Sequence, residues 1–300
     1  MSGFNLLKYE YPSGKLISNI TFEKEGPDGI GGYVSGNLIT KDVVFFISSQ
    51  KEITQAGHDG KVINRYLLPE SPEERIATQF STNRGNKMNW NTAKEKLIVP
   101  DVPILLKEKS MKYKDWLWEF NLKENTKEVA LQFTFPKEYN DYFDDPELGT
   151  YYHLLIEKTN KHLVAFPATD SILVFSEENS SKIFAGSNSQ LEFKKGKTEA
   201  QGEYTVFLPS VETSRYQSMM HDPYQGLILR HLIIEQGKNE NGVFSKNSFV
   251  ILDESLSKIG EVSFSSRIIS SLGFCTPNGL YLKMMNQNSD DQEAYIRFIF

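Results

Sequence analysis

Short apolar runs alternate with polar turns along the whole chain. Runs such as DVVFFI, WLWEF, SILVF and SFVIL are rich in β-branched and aromatic residues and are too short for helices of typical length. The turns between them use Gly, Asn, Asp and Ser, which tolerate tight bends or bond their own backbone. The pattern predicts an all-β protein built from antiparallel hairpins.

A four-strand unit repeats along the chain. The first hairpin of each unit aligns at its turn, as in NTAKEKLIV at 91–99, EKTNKHLVA at 157–165, HDPYQGLIL at 221–229 and TPNGLYL at 276–282. The anchor positions recur about every 50 to 65 residues, near the upper end of propeller-blade periods. They are Val44, Leu97, Leu163, Leu227 and Leu280. The repeat favours a β-propeller over a sandwich or a barrel.

The two ends of the chain determine the predicted number of blades. Phe4–Phe22 reads as a second hairpin without a first, and Tyr295–Phe300 reads as a third strand without a fourth. Because unpaired edges invite aggregation, we expect a strand near Leu6–Tyr11 to share a sheet with Tyr295–Phe300. The prediction is one domain, residues 1–300, forming six four-stranded antiparallel blades of which the first is incomplete. Five-bladed closure is the alternative. Blade boundaries are expected near Thr78, Thr150, Arg215 and Arg267.

Composition excludes several classes of function. The chain has 33 Lys and Arg against 39 Asp and Glu, a net charge of -6 that disfavours nucleic acid as a partner. No apolar run is long enough to span a bilayer, and Met1–Glu10 lacks the basic start and the apolar stretch of a secretion signal. The single cysteine, Cys275, is expected to be a buried small hydrophobe.

Loop lengths indicate where a ligand would bind. Turns within hairpins are short, and in a four-stranded meander the crossovers emerge at the opposite end. The long connections are Glu23–Tyr33, Pro100–Asp115, Pro136–Thr150, Ala185–Arg215 and Glu235–Asn247. Since long loops carry function more often than short turns, the site is expected on this long-loop face.

The glycine motifs and the histidines of this chain lack the neighbouring residues that nucleotide or metal binding would require. Gly29–Gly32 lacks the third glycine and the helix of a dinucleotide fingerprint, and Gly196–Thr198 lacks the leading glycine of a phosphate loop. The five histidines include no pair at helical metal spacing. Nucleotide hydrolysis therefore has no support in the sequence.

Two constellations are better candidates. The crossover KEYNDYFDDPELGTYY, residues 137–152, places carboxylates among aromatic rings, an arrangement that suits a sugar, a cationic group or calcium. The second is an arginine and a tyrosine that open a unit, with a histidine in the equivalent region of the preceding blade; an arginine fork can hold a carboxylate or a phosphate. Together they give the predicted ligand-binding residues Tyr139, Tyr142, Asp144, Asp145, Tyr151, His153, Arg215 and Tyr216. The alternative for residues 137–152 is a solvated acidic loop whose tyrosines pack on the propeller surface. The alternative for Arg215 is a hydrogen bond that locks two blades together.

Three segments carry a resemblance to a known family. They are FEKEGPDGIG at 22–31, the hairpin YQSMMHDPYQGLILR at 216–230 and the acidic stretch SDDQE at 289–293. The chain resembles the TolB-like six-bladed β-propellers, and in particular a domain-of-unknown-function family of Bacteroidetes envelope lipoproteins. The resemblance implies an exported periplasmic or outer-membrane protein with no established activity.

These observations favour a non-enzymatic binding or protein-interaction module of the cell envelope. Its partner would be a glycan, a peptide or an envelope protein, held on the long-loop face. The alternative is a hydrolase or lyase that acts on a glycan or peptide through carboxylates of residues 137–152, with or without calcium. No catalytic residue and no cofactor is assigned, and the metal content is left open.

Overall fold

The structure is a computed structural model that describes residues 3–48, 51–70, 78–80, 85–92, 94–103, 111–202, 204–210, 213–239, 242–264, 268–284 and 293–300. Its regular structure in these ranges is almost entirely β. Two short 3-10 helices, Lys137–Asp141 and Glu157–Thr159, interrupt the strands. The predicted all-β class is confirmed.

Five sheets have the antiparallel order of propeller blades. Blade 1 contains β3 (Val34–Ile39), β4 (Val43–Ser48), β5 (Glu52–Gly57) and β6 (Val62–Leu67). Blade 2 contains β7 (Thr78–Phe80), β8 (Asn89–Asn91), β9 (Lys96–Pro103), β10 (Leu117–Asn121) and β11 (Thr126–Leu131), with β7 and β8 both paired to β9. Blade 3 contains β12 (Tyr152–Ile156), β13 (Lys161–Ala165), β14 (Ser171–Phe175) and β15 (Ser180–Phe184).

The two remaining blades follow in the same order. Blade 4 contains β18 (Ser214–Asp222), β19 (Leu227–Asn239), β20 (Gly242–Asp253) and β21 (Lys258–Phe264). Blade 5 contains β22 (Ile268–Thr276), β23 (Gly279–Met284) and β24 (Tyr295–Phe298). The five anchor positions of the sequence repeat lie in the second-position strands β4, β9, β13, β19 and β23. The repeat therefore marks five blades.

The predicted count of six blades is wrong, and the alternative of five is correct. The predicted sixth blade was assigned to residues 4–22. In the structure these residues form a separate two-stranded sheet of β1 (Phe4–Tyr9) and β2 (Leu16–Phe22). This hairpin packs against blade 1 through Phe4, Leu6, Ile20 and Phe22. The predicted shared sheet is also wrong, because β1 pairs with β2 and β24 pairs with β23.

The predicted blade boundaries agree closely with the structure. Thr78 is the first residue of β7, Thr150 lies two residues before β12, and Arg215 is the second residue of β18. Arg267 lies outside the described residues, and β22 begins directly after it at Ile268. The pattern of turn residues in the sequence therefore predicted the first strand of these blades to within two residues.

Two of the predicted long loops contain strands. The crossover 185–215 includes a hairpin of β16 (Lys197–Gln201) and β17 (Tyr204–Leu208). The predicted loop Glu235–Asn247 is wrong, because β19 and β20 continue through it and pair with each other as far as Asn239 and Gly242. Among the described residues, the pairing of β18 with β19 reaches Ile234 and the pairing of β21 with β20 reaches Asn247.

The chain packs as two compact units. Unit 1 consists of Met1–Asn83, Lys87–Val102 and Tyr113–Phe133, and unit 2 of Arg84–Asn86, Pro103–Lys112 and Thr134–Phe300. In unit 1, an apolar cluster joins blades 1 and 2 through buried residues that include Phe45, Ile53, Leu97 and Phe120. In unit 2, one cluster joins blades 3 and 4 and another joins blades 4 and 5.

No helix in the described part of the chain is long and apolar enough to cross a membrane. Many of the buried apolar side chains lie between successive sheets, in the clusters given above.

Candidate functional site: the crossover segments of unit 2

The crossover from Pro136 to Thr150 is a chain of tight turns. Pro136 precedes the 3-10 helix Lys137–Asp141, and its carbonyl accepts the N–H of Tyr139 at 2.9 Å. The same step recurs along the segment, where the N–H of Tyr142 bonds the carbonyl of Tyr139 and the N–H of Asp145 bonds that of Tyr142. Proline suits this start because its ring fixes φ near the helical value. The segment is therefore ordered by its own backbone.

Asp145 fixes this crossover to the next one. Its Oδ1 accepts the N–H groups of Glu147 at 2.8 Å and Leu148 at 3.0 Å, and its Oδ2 accepts the N–H of Gly196 at 2.8 Å. The side chain is buried, and both oxygens are used by backbone donors. A carboxylate bound in this way stabilises two loops at once. The crossovers 136–150 and 185–215 are thus held together at one point.

The phenol of Tyr139 and the ring of Tyr151 are fully buried. The Tyr139 hydroxyl accepts the N–H of Ala168 at 2.7 Å, and burial raises its pKa well above the ordinary value. Phe135 lies between them, with ring centroids 5.6 Å from Tyr139 and 6.5 Å from Tyr151. These two tyrosines pack beneath the crossover, and their side chains are not exposed at its surface.

A buried arginine that the sequence analysis did not select lies beside Tyr216. Arg230 on β19 is fully buried, and its guanidinium is 3.5 Å from the centroid of the Tyr216 ring. It donates to the carbonyls of Ala185 at 3.0 Å, Phe166 at 3.3 Å and Thr169 at 2.6 Å. Burial lowers its pKa to about 10, so the group stays charged at neutral pH. It joins blade 4 to the loop between β13 and β14 and to the residue that follows β15.

Tyr216 completes this cluster. Its hydroxyl donates to Oδ1 of Asp170 at 2.6 Å and accepts the N–H of Ser187 at 3.0 Å. Burial is the largest reason why its pKa is raised. Both sides of the hydroxyl are satisfied, and the ring is covered. The arrangement positions the crossovers and leaves the phenol unavailable to a ligand at the surface.

His153 is also buried and pairs with a second histidine. Its Nε2 lies 3.0 Å from Nδ1 of His162, so one of the two nitrogens carries the shared proton. Its backbone N–H donates to Oδ1 of Asn86 at 3.0 Å. Burial, with a smaller contribution from His162, lowers the pKa of His153 well below 6.5. This imidazole is neutral at physiological pH.

The remaining predicted residues reach the surface. Tyr142 is half-buried, and its hydroxyl donates to the carbonyl of Phe193 at 3.3 Å. Asp144 is 47% exposed and forms an ion pair with Lys195. Arg215 is 14% exposed, with its Nη1 3.6 Å from Oε2 of Glu147. These side chains and their partners come from the two crossovers and from the start of β18.

The structure therefore divides the eight predicted residues into two layers. Tyr142, Asp144 and Arg215 belong to the surface, and the other five, Tyr139, Asp145, Tyr151, His153 and Tyr216, are buried. Sequence reasoning missed Lys195 and Glu147 as partners and Arg230 as the buried cation. We call the surface formed by Tyr142, Asp144, Glu147, Lys195 and Arg215 the crossover surface.

The acidic groups of this region are engaged by donors. Asp144 is paired with Lys195, Glu147 with Arg215, and Asp145 with three backbone N–H groups. Among the described residues, no group of three or more His, Cys, Asp or Glu is placed to hold a metal ion. The geometry offers fixed charges and a partly exposed aromatic ring, which are features of a binding surface.

Sheet order and anchor spacing define the class of this protein as an all-β propeller with five antiparallel blades. Residues 2–263 match the family described as Domain of unknown function (DUF4221), and the chain belongs to that family. No curated protein matches it.

The fold is similar to that of one solved structure, and two further structures match more weakly. A crystal structure of a DUF4221 member from Bacteroides vulgatus has a TM-score of 0.75 at 15% identity, covering 99% of this chain and 86% of that one. BamB from Moraxella catarrhalis has a TM-score of 0.39 at 12% identity, covering 93% and 76% of the respective chains. A protein of unknown function from Bacteroides thetaiotaomicron has a TM-score of 0.28 at 10% identity, covering 83% and 66%. At these identities the first similarity shows the fold alone, and the other two are too low to support an argument.

Proposed function

We propose that this chain is a non-enzymatic binding module whose ligand, a peptide, a glycan or an envelope protein, rests on the crossover surface. The observation that carries the proposal is the bracing of two crossovers by Asp145 and Tyr142, whose side chains bond Gly196 and Phe193 across the gap between the segments. Loops fixed in this way pay little ordering entropy on binding.

The state of the carboxylates favours binding over catalysis. A general acid or base must be able to exchange a proton with the substrate at hydrogen-bond distance. Asp145 is held by three N–H donors and is buried, and Asp144 carries a lysine on its Oδ1. Such groups supply fixed charge and hydrogen bonds to a bound molecule.

Paired variants test the location of the site. Tyr142→Ala with Asp144→Ala removes the aromatic ring and one charge of the crossover surface. Lys158→Ala with Glu254→Ala is the matched control, because this ion pair, at 3.3 Å, joins two short turns of blades 3 and 4 at the other end of their strands. All four side chains are at least partly exposed, so both variants are expected to fold.

Binding of both variants would be compared with that of the parent on one glycan and peptide panel. The crossover variant should lose the ligands that the parent binds, and the short-turn variant should keep them. Equal losses in both, or a loss in the control alone, would place the site elsewhere and refute the proposal.

We also propose that the protein acts in the cell envelope. The resemblance to envelope lipoproteins supports this location. Fractionation of the native cells, with detection by antibody, tests it: signal confined to the cytoplasmic fraction would contradict the proposal.

A further inference from the structure

Blade 5 contains fewer strands than the other blades in the described part of the chain. Its anchor strand β23 pairs with β24, just as the anchor strands of blades 1 to 4 pair with β5, β10, β14 and β20. Each of those four strands pairs on its other side with an outer strand, which is β6, β11, β15 or β21. The described residues give β24 no such outer strand. Blade 5 therefore ends at a strand whose counterparts lie inside their sheets.

The side chains of β24 are exposed where those of its counterparts are covered. Val250 and Leu252 of β20 and Ile172 of β14 are fully buried, whereas Tyr295 and Ile296 of β24 are 39% and 38% exposed. The sequence of β24, YIRF, is mainly apolar, as is SILVF of β14. This strand thus has the composition of a covered strand and the exposure of an edge.

The free edge of β24 presents the backbone groups of Tyr295 and Arg297. Met284 donates its N–H to the carbonyl of Ala294 at 2.9 Å, and the register of β23 and β24 continues from there without a shift. Opposite residues in an antiparallel pair alternate between bonded and non-bonded, so the next residue of β24 that bonds β23 is Ile296. The N–H and C=O groups of Tyr295 and Arg297 point away from β23, and no described residue bonds them.

An edge of this kind is a template for one more strand. Its outward N–H and C=O groups are already in line, and an extended peptide that lies beside them completes the ladder through its own backbone. The side chains of such a peptide then decide which sequence fits.

The outer strands of this fold share a side-chain pattern. In blades 1 to 4, an apolar or aromatic residue of the outer strand pairs with an apolar residue of the strand inside it, and a charged residue stands next to it along the chain. These adjacent residues are Tyr66 and Arg65, Val129 and Glu128, Ile183 and Lys182, and Val262 and Glu261. A segment that fits blade 5 in the same way alternates apolar and charged residues.

Arg297 determines which charge fits. Its side chain is exposed and forms no ion pair in the described part of the chain, whereas Lys283 on β23 pairs with Glu293. Opposite charges directly across two strands stabilise a sheet, and like charges destabilise it. Successive side chains point to opposite faces, so Ile296 offers its side chain to an apolar residue on the other face. The charged positions of the segment are therefore acidic.

We infer that β24 binds an extended segment of a partner protein as the outer strand of blade 5, and that this segment alternates apolar and acidic residues. The backbone of Tyr295 and Arg297 holds the segment, and the Arg297 side chain selects its charge. This site goes beyond the proposed function, because it uses none of the residues of the crossover surface.

The experiment uses two fluorescein-labelled peptides with amidated C-termini, TVEVEVT and TVKVKVT, which alternate valine with an acidic or a basic residue. Fluorescence polarisation would be measured for the parent, Arg297→Glu and the control Lys8→Glu. Lys8 is an exposed cation on β1, an edge strand of the separate two-stranded sheet. Melting curves establish that each variant is folded.

The parent should bind the acidic peptide about threefold to tenfold more tightly than the basic one, in line with the effect of charges paired across two strands. Arg297→Glu should reverse this preference, and Lys8→Glu should keep it. Equal binding of the two peptides by the parent, no binding of either, or an unchanged preference in Arg297→Glu overturns the inference. A reversal in Lys8→Glu also overturns it, since the peptide would then add to β1.

A second pair of variants tests the backbone contact. Arg297→Gln removes the charge and keeps the N–H, whereas Arg297→Pro also removes the N–H that points away from β23. Proline is tolerated at such a position of an edge strand. Arg297→Gln should bind the two peptides with similar affinity, and Arg297→Pro should bind both about tenfold more weakly than Arg297→Gln. Equal affinities of these two variants would contradict strand addition.

Amide exchange reports whether the edge is open. In the free parent, the N–H groups of Tyr295 and Arg297 should exchange faster than that of Ile296, and saturation with TVEVEVT should slow both. Protection of both groups in the free protein would show that another segment or a second copy already covers β24, which overturns the inference.

Failure of this inference is distinguishable from failure of the proposed function. Tyr142→Ala with Asp144→Ala should bind TVEVEVT as the parent does. Loss of this peptide in the double variant, with unchanged binding in the Arg297 variants, would move the peptide to the crossover surface; the inference would then be wrong while the proposed function stands.

Discussion

The packing between blades 1 and 2 and the packing between blades 3 and 4 follow different principles. The first is an apolar cluster of side chains such as Phe45, Ile53 and Leu97, and bonds to backbone carbonyls come from outside that cluster, such as those from the exposed Lys127 to Leu67 and Leu68. The second combines apolar side chains with a buried cation, Arg230, that reaches three backbone carbonyls. Apolar contact is non-directional, whereas each of these hydrogen bonds fixes a position.

The comparison indicates what the hydrogen bonds of Arg230 contribute to the packing between blades 3 and 4. A hydrophobic cluster holds two sheets together and tolerates side chains of similar volume. The Arg230 bonds hold the loop residues Phe166, Thr169 and Ala185 at set distances from β19. A buried charge is costly, so it adds less to stability than to the definition of these loops. The fully buried cation thus lies beside a loop of blade 3 and the start of the crossover that follows this blade.

Arg230→Met should produce the largest loss of stability. Methionine fills a similar space but leaves three carbonyls without their donor and removes the cation from the Tyr216 ring. A buried acceptor left without a donor costs about 1 to 3 kcal/mol, so the loss for three carbonyls is expected to be about 3 kcal/mol or more. Denaturant unfolding measures the change, and a loss below about 1 kcal/mol would show that water replaces the arginine.

Tyr216→Phe should cost about 1 to 3 kcal/mol although it removes a single oxygen. The reason is that Asp170 Oδ1 loses its donor and the Ser187 N–H loses its acceptor in a covered site. The same unfolding measurement applies. A neutral effect would mean that the hydroxyl does not contribute to the directional part of this packing.

The pH dependence of stability sharpens the comparison further. Because the pKa of His153 is lowered well below 6.5 in the folded protein, the unfolded chain binds more protons below that pH. The stability that comes from the neutral imidazole is full above pH 6.5 and declines as the pH falls below it. His153→Leu should flatten this part of the profile.

Urea unfolding of the parent and His153→Leu at pH 7.5, 6.5, 5.5 and 5.0 measures the effect. His58→Leu is the control, since His58 is only partly buried in a turn of unit 1. Parallel stability profiles for the parent and His153→Leu would show that another group governs the acid response.

Leu97→Met should have the smallest effect, below about 1.5 kcal/mol, as volume-conserving swaps in an apolar cluster usually do. Leu97 is fully buried on β9 in the packing between blades 1 and 2. Thermal unfolding would measure it beside Tyr216→Phe. If Leu97→Met costs more than Tyr216→Phe, the contrast between apolar and directional packing does not hold.

The sequence predicted the blades better than it predicted the site. Anchor spacing and turn residues located the strands, because these depend on local chemistry that the chain displays directly. The number of blades was wrong because the hairpin of Phe4–Phe22 looks like half a blade in sequence, and only its packing on blade 1 shows that it is a separate sheet.

The candidate site was predicted in part, because burial cannot be read from a crossover. Tyr139, Tyr142 and Tyr151 look alike in sequence, yet Tyr142 alone is not fully covered. The sequence did indicate that Arg230 is buried. This arginine lies within LILRHLII, where apolar residues on both faces predict a strand that is buried on both sides. A charged residue in such a strand is forced into the interior and needs partners there.

The extension of β19 and β20 beyond their neighbours has a consequence for how the protein opens. From Glu235 to Asn239 the described pairing is with β20, and no described residue of β18 or β21 extends the sheet there. An isolated two-stranded ribbon is marginally stable in water. We therefore expect its amide hydrogens to exchange with solvent much faster than those of Leu229 or Val250 on the same two strands, without unfolding of the blade. Such exchange would divide blade 4 into a cooperative unit and a ribbon that opens separately, where a spectroscopic probe or a short insertion would leave the packed blades undisturbed.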